Sequence, residues 1–294
     1  MTLKVLVTGT TGMLGADIVR VLLGDPDYEV YGLGRRMTTL LPEHKQFVVD
    51  LASPQTIVLP DFHPDFIIHT AALTDLGLCE RDPQLAERVH IQSSEVLADL
   101  TRNSGCFIYI STDSVFDGRK GGYTEADTPN PLNIYASTKF RGEIAVRNIA
   151  KKAMIIRTNI YGLHQPIGRS LTEWAYTEWM AGRKINGFPD IFFNAVFTGQ
   201  LSEVLRYMMS NQIHYPIINV GSSRCVSKYE FLNMLAFEAG IDTALLEAKP
   251  SSAFPSTLKR PENTCLDTRL LKEFHTVPSF EDGLRTWTAR MAPK

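Results

Sequence analysis

A phenol and an ammonium stand four residues apart in Tyr135-Ala-Ser-Thr-Lys139, the spacing that puts two side chains on one helix face. A tyrosine ordinarily titrates near 10, so a phenol that trades a proton at neutral pH needs a nearby cation, and Lys139 supplies one. The spacing alone is weak, because a Tyr-x-x-x-Lys pair arises by chance in a chain of this size. Its context adds weight. Upstream, the apolar run Phe107–Ser111 ends in Ser111-Thr112-Asp113-Ser114, which places hydroxyls at the carboxyl end of a strand. Thr112 is there to hydrogen-bond a substrate oxygen, so Thr112, Tyr135 and Lys139 form the candidate catalytic set.

A second group of residues suits phosphate. Thr8-Gly9-Thr10-Thr11-Gly12-Met13-Leu14-Gly15 follows the strand-like Leu3–Val7 and opens a helical pattern. Glycines there permit a tight turn and close backbone approach to a pyrophosphate, whose charge then rests at the helix amino end. The spacing is GxxGxxG rather than GxGxxG. After the second strand the chain reads Gly34-Arg35-Arg36 with no carboxylate. An acidic residue at that point suits the 2′-hydroxyl of NAD, whereas arginine accommodates the 2′-phosphate of NADP. NADP(H) is therefore favoured over NAD(H), with a solvated surface bend as the plainer reading of the arginines. The third strand ends in Asp50-Leu51, and the fourth runs into His69-Thr70-Ala71-Ala72, small residues that leave room for a ligand.

These groups need a scaffold, and the first 160 residues describe one. Short apolar runs at Leu3–Val7, Glu29–Leu33, Phe47–Val49, Phe66–His69, Phe107–Ser111 and Met154–Arg157 alternate with helical patterns, Pro83–Asn103 among them. Such alternation predicts an α/β fold, a Rossmann-type doubly wound parallel sheet buried on both faces. Beyond residue 160 the rhythm changes. Helices are expected at Ser170–Gly182, Gly199–Ser210 and from a Ser227 cap to Ala239, a strand at Pro216–Val220 and a loop over Pro250–Pro261. The expected division is a nucleotide-binding domain over 1–160 and a mainly substrate-binding lobe over 161–294, with some later segments returning to the main sheet. The aromatic residues Trp174, Tyr176 and Trp179 suit core or a subunit contact. Some of Phe188, Phe192, Phe193 and Phe197 are candidates to line a pocket.

Composition narrows the class. The chain has 294 residues and a net charge of −2, which argues against broad binding to nucleic acid or to an anionic membrane. No apolar run approaches the length of a transmembrane helix, and a glycine turn arrives too early for a signal peptide. Cys79, Cys106, Cys225 and Cys265 are scattered with no CxxC pair, and there is no HExxH. That pattern argues against a metal site and against a disulfide framework, and it fits a reducing, cytoplasmic compartment.

TGTTGMLG, HTAALTDLGLCERDPQLA, ISTDSVFDG, NPLNIYASTKFRGE, RTNIYG and RPENTCLDT occur in this order. The series resembles the extended short-chain dehydrogenase/reductases, and within them the dTDP-4-dehydrorhamnose reductase-like branch. The resemblance implies that Gly9, Thr11, Gly12, Met13, Leu14 and Gly15 line the pyrophosphate, and that Asp50 and Leu51 face the adenine. It further implies that Arg35 and Arg36 meet the 2′-phosphate and that Ala71 and Ala72 border the cofactor. Tyr135 would then be the proton donor and Lys139 would bind the nicotinamide ribose. Thr112, Asp113, Ser114, Asn159 and Arg260 would face the substrate, a nucleotide-activated keto-deoxysugar. Helices Pro83–Asn103 and Tyr135–Ala150 would form a homodimer interface.

Departures from that pattern bear on the substrate. His90 stands where many relatives carry asparagine, and a buried, hydrogen-bonded histidine is expected there rather than a new base. Ser114 replaces an aromatic residue. Thr112-Asp113-Ser114 lacks the glutamate of the related 4,6-dehydratases, which argues against dehydration. A 4-epimerase uses the same Thr, Tyr and Lys, although a retained NAD suits that cycle better than paired arginines. A non-catalytic NADP-binding regulatory subunit, as in the methionine adenosyltransferase beta type, is the remaining alternative.

Overall fold

The structure, a computed structural model, describes residues 2–59, 61–168 and 170–291. Six strands, β1 (Leu3–Thr8), β2 (Tyr28–Gly34), β3 (Gln46–Val48), β4 (Phe66–His69), β5 (Cys106–Ile110) and β6 (Ala153–Thr158), share one sheet with Ile217–Val220. Every pairing in it is parallel. From one edge, Ile217–Val220 is followed by β6, β5, β4, β1, β2 and β3. The order therefore reverses at β1, and the crevice at the carboxyl ends of β1 and β4 is where such sheets bind ligands.

Side chains alternate across the sheet as the strand period requires. Val5, Val7, Ile108 and Ile156 face one side, where they meet Leu14, Ile18 and Leu22 of α1 (Met13–Leu23) and Leu201, Val204 and Met208 of the helix Thr198–Ser210. Leu6, Ile67, Phe107 and Ile155 face the other, against Leu97, Ala98 and Val146. A third core, with Trp179, Phe193, Phe197, Phe231, Phe280 and Trp287, belongs to the later segments.

Each expected strand of the main sheet is present to within a residue or two at its ends, including Ile217–Val220, which returns from beyond residue 160. The expected helix Pro83–Asn103 differs. It is preceded by a separate helix, Leu76–Arg81, and is itself Pro83–Glu87, a π-helical turn at Arg88–Gln92, then Ser93–Asp99. Asp75 and Asp82 each cap a helix start, so the chain restarts at Pro83. Phe193 and Phe197 are core rather than pocket lining, whereas Phe188 and Phe192 are half-buried.

The scattered cysteines are not all free. Cys225 and Cys265 form a disulfide, with Cα atoms 5.7 Å apart, while Cys79 and Cys106 are buried thiols. This corrects the expectation drawn from linear spacing. The short strand Phe192–Phe193 pairs with Val226–Ser227 and bridges to Asn263, which gathers segments 40 residues apart in sequence.

Candidate active site

The glycine turn has the shape its sequence predicts. Gly9 adopts φ +71°, and a side chain there would lie 3.1 Å from the Ala71 backbone. A Cβ on Gly15 would sit 2.3 Å from the Gly9 carbonyl oxygen, closer than atoms pack, so only glycine lets α1 begin this tightly. α1 has no side-chain cap and no acidic residue in its first turn, which leaves its positive end free for an anion. Thr8 binds the turn to β4: its hydroxyl accepts the Ala71 N–H at 3.1 Å and meets His69 Nδ1 at 2.8 Å. Arg35 and Arg36 are exposed beside the turn, since Gly9 N–H donates to the Leu33 carbonyl at 2.7 Å. Thr11, Gly12 and Met13 are partly exposed. Leu14 and Leu51 send their side chains into the core, so only their backbone remains for a ligand. Asp50 is exposed and turns its carboxylate onto the Ala52 N–H.

At the end of β5 the candidate substrate residues are arranged around a buried carboxylate. Asp113 Oδ1 accepts from the Thr112 hydroxyl at 3.1 Å and from the Ser114 hydroxyl at 3.2 Å, while Oδ2 accepts from Asn159 at 2.8 Å and from Thr264. Burial raises the Asp113 pKa against the lowering effect of these four donors, Thr264 first. Its oxygens are thus committed to protein groups, and Asp113 positions Thr112, Ser114 and Asn159. Thr264 was not among the sequence candidates. The signal was its place in RPENTCLDT, four residues after Arg260. Arg260 itself is exposed near the start of the helix that carries Tyr135 and Lys139, because the preceding Lys259 carbonyl accepts from Asn133, the cap of Ile134–Ile149.

Tyr135 and Lys139 share that helix, but the ammonium does not lower the phenol here. Burial pushes the Tyr135 pKa up to about 12; its hydrogen bond with Thr112 opposes the rise and Asp113 adds to it. Lys139 is buried, donates to the Ile110 carbonyl at 2.8 Å and lies 4.0 Å from the Tyr109 ring centre. Burial lowers its pKa to about 7, with Glu143 opposing. Glu143 gives little of its charge to Lys139, being paired with the buried Arg157 at 2.8 Å and bonded by Ser111. The expectation of a lysine-lowered phenol fails because the ammonium is turned onto the strand carbonyl.

His90 is buried as expected. Its Nε2 accepts the Leu73 N–H at 3.0 Å, so Nδ1 carries the proton and donates to Thr138 at 2.7 Å. Burial, reinforced by Lys139, depresses its pKa to about 2, and it stays neutral. Its ring packs edge-on against Tyr135 at 5.7 Å, so it braces the helix Ile134–Ile149.

The RmlD substrate binding domain model matches residues 3–292. A dTDP-4-dehydrorhamnose reductase of Aggregatibacter actinomycetemcomitans is 28% identical over 292 residues, 94% of this chain and 95% of that one. Methionine adenosyltransferase 2 subunit beta of Xenopus tropicalis is 35% identical over 161 residues, 54% of this chain and 47% of that one. Among solved structures, dTDP-4-dehydrorhamnose reductase from Bacillus anthracis in complex with NADP superposes with a TM-score of 0.84 at 23% identity, covering 99% of this chain and all of that one.

Proposed function

Since the chain belongs to the RmlD substrate-binding domain family, we propose that it is an NADPH-dependent reductase of a nucleotide-activated keto-deoxysugar. The observation that carries this reading is the seating of the helix Ile134–Ile149 on the end of β5, where Lys139 donates to the Ile110 carbonyl two residues before Thr112, with the Tyr135 phenol held protonated. Reduction needs that protonation state, since the donor must begin with its proton. Thr112 orients the keto oxygen, and Tyr135 gives it a proton as it gains charge. Lys139, on the same helix face, donates to the Ile110 carbonyl and anchors that helix at the end of β5.

The residues fit NADPH. Gly9, Gly12 and Gly15 with the open end of α1 suit the pyrophosphate, exposed Arg35 and Arg36 suit the 2′-phosphate, and Tyr135 and Lys139 would hold the nicotinamide end. When bound, NADPH supplies the hydride that reaches the keto carbon. In this reading residues 1–160 chiefly serve the cofactor and 161–294 the sugar. It includes a homodimer through Pro83–Asp99 and Ile134–Ile149, where Ile144 is exposed; the mass in solution checks it.

Oxidation of NADPH against a panel of nucleotide-activated keto sugars tests the function. Turnover is expected for at least one sugar, and Tyr135→Phe is expected to lower kcat/KM by about 100- to 10,000-fold while weakening NADPH binding by no more than about tenfold. Tight NADPH binding without turnover on any sugar would favour a regulatory binding protein instead. Equal turnover by Tyr135→Phe would remove it as proton donor.

A further inference from the structure

Asp113 is held from two directions. Its neighbours Thr112 and Ser114 donate to Oδ1 at 3.1 and 3.2 Å, and Asn159, just past β6, donates to Oδ2 at 2.8 Å. The remaining donor, the Thr264 hydroxyl on Oδ2, comes from a segment 151 residues further along the chain. An ionised carboxylate accepts at about four positions, so this one is filled by neutral donors.

The segment that carries Thr264 is clamped on either side of it. Thr264 is buried, its N–H donates to the Phe192 carbonyl at 3.1 Å, and the Phe192 N–H donates to the Glu262 carbonyl at 2.7 Å. Asn194 grips the chain just beyond: its Nδ2 donates to the Leu266 carbonyl and its Oδ1 accepts the Leu266 N–H, each at 2.9 Å. Between these clamps the Cys225–Cys265 bond ties the residue after Thr264 to the residue before the short strand Val226–Ser227. The hydroxyl is therefore aimed at Asp113 by its backbone.

This donor bears on Thr112. The Thr112 hydroxyl has one proton, which it gives to Asp113, while its oxygen accepts the Ser114 N–H at 3.1 Å. To bond a keto oxygen, Thr112 must turn that proton away from Asp113. The turn takes one donor from a buried charge, and the cost grows as fewer donors remain. With Thr264, Asn159 and Ser114 in place, three donors still hold the carboxylate. Without Thr264 two are left, and the carboxylate keeps a firmer hold on the Thr112 proton.

We propose that Thr264 is a positioning residue for the reduction: by donating to Asp113, it frees the Thr112 hydroxyl to bond the keto oxygen of the sugar. The assignment rests on the reductase reading above and adds to it a residue of the later lobe that acts through Asp113 and Thr112.

The test compares Thr264→Val, which keeps the shape of the side chain and removes the donor, with Thr264→Ser, which keeps the donor. Both are assayed by NADPH oxidation with a keto sugar that wild type reduces. Thr264→Val is expected to lower kcat about 10- to 100-fold, the loss of one hydrogen bond to a charged group. Its KM for the sugar and its NADPH affinity should stay within about threefold of wild type. Thr264→Ser should recover most of kcat. In a Thr112→Ala background Thr264→Val should cost less than about threefold more, because the hydroxyl it frees is gone. Wild-type kcat in Thr264→Val, a loss in KM alone, no recovery in Thr264→Ser, or a full loss in the Thr112→Ala background would each overturn the proposal and leave the reductase reading standing. If wild type binds NADPH and reduces no keto sugar, the reductase reading falls and the proposal falls with it. Should Thr264→Val fail to fold, as its urea midpoint reports, Thr264→Ala takes its place in the same comparison.

Discussion

The two walls of the cleft are made in different ways. On the proposed cofactor wall the working parts are backbone: the Gly9 turn, the Gly15 close approach and the uncapped start of α1. On the proposed substrate wall they are side chains gathered from three places in the chain, with Asp113 collecting its neighbours Thr112 and Ser114 together with Asn159 and Thr264. A covalent bond, Cys225–Cys265, braces that wall. A backbone site tolerates little change in shape but much change in neighbouring sequence. A side-chain site can be re-aimed residue by residue, which is how one cofactor scaffold serves different substrates.

Breaking the brace should show the contrast most strongly. The disulfide spans 40 residues, and chain-entropy arguments put its contribution at roughly 3–4 kcal/mol. Cys225→Ser, or a dithiol reductant acting on the exposed Cys225 side, is expected to lower the urea midpoint accordingly and to raise KM for the sugar. NADPH affinity at low denaturant should stay as it was. A parallel loss of NADPH affinity would mean that the two walls are not independent.

The reverse experiment is Gly15→Ala. The new Cβ meets the Gly9 carbonyl at 2.3 Å, and both neighbours are backbone, so the turn itself must open. Overpacking of this kind costs about 1–3 kcal/mol. The expected readout is a weakening of NADPH binding by roughly 10- to 100-fold, with the KM for the sugar preserved in the same protein.

How much of each wall was legible in the sequence follows from the same contrast. The backbone wall was written in a few consecutive residues: an apolar run, three glycines at fixed spacing, then a helical pattern. Tyr135, Lys139 and Thr112 were legible for the same reason, since one helix and one strand end carry them. Thr264 and the cysteine pair were not, because Phe192–Phe193 brings their segments together, and no local pattern announces a two-residue strand. Tyr135's raised pKa was likewise out of reach: the i,i+4 spacing predicts neighbours, but not that Lys139 turns onto the Ile110 carbonyl. The π-turn at Arg88–Gln92 was hidden too, as apolar spacing reads through it.

Lys139 belongs to both walls, and its charge has a stability cost with a definite sign. Burial lowers its pKa from 10.5 to about 7. Below pH 7 the folded state holds a buried ammonium and carries the full penalty. Between about 7 and 10.5 the folded state loses the proton while the unfolded chain keeps it, so the penalty shrinks as pH rises, by at most about 1.4 kcal/mol per unit. Lys139→Met should therefore abolish turnover yet unfold at higher urea than wild type at pH 6. That advantage should fade towards pH 10. A constant difference across pH would show that the ammonium is not desolvated.

The smallest expected effect probes the edge of the backbone wall. Arg35 and Arg36 are exposed beside the glycine turn, so either can swing onto a 2′-phosphate at little cost to the fold. One charge-assisted contact in partly screened surroundings is worth roughly a tenfold preference. Arg35→Ala is accordingly expected to reduce the NADPH-over-NADH ratio of kcat/KM about tenfold, mainly by weakening NADPH, with the NADH constants and the urea midpoint unchanged. Raising the salt concentration should erode the wild-type preference and leave the variant almost indifferent, because an exposed pair is screened over about 10 Å at 0.1 M. A salt-independent preference in wild type, or one untouched by Arg35→Ala and Arg36→Ala together, would place cofactor choice in the turn rather than in its arginines.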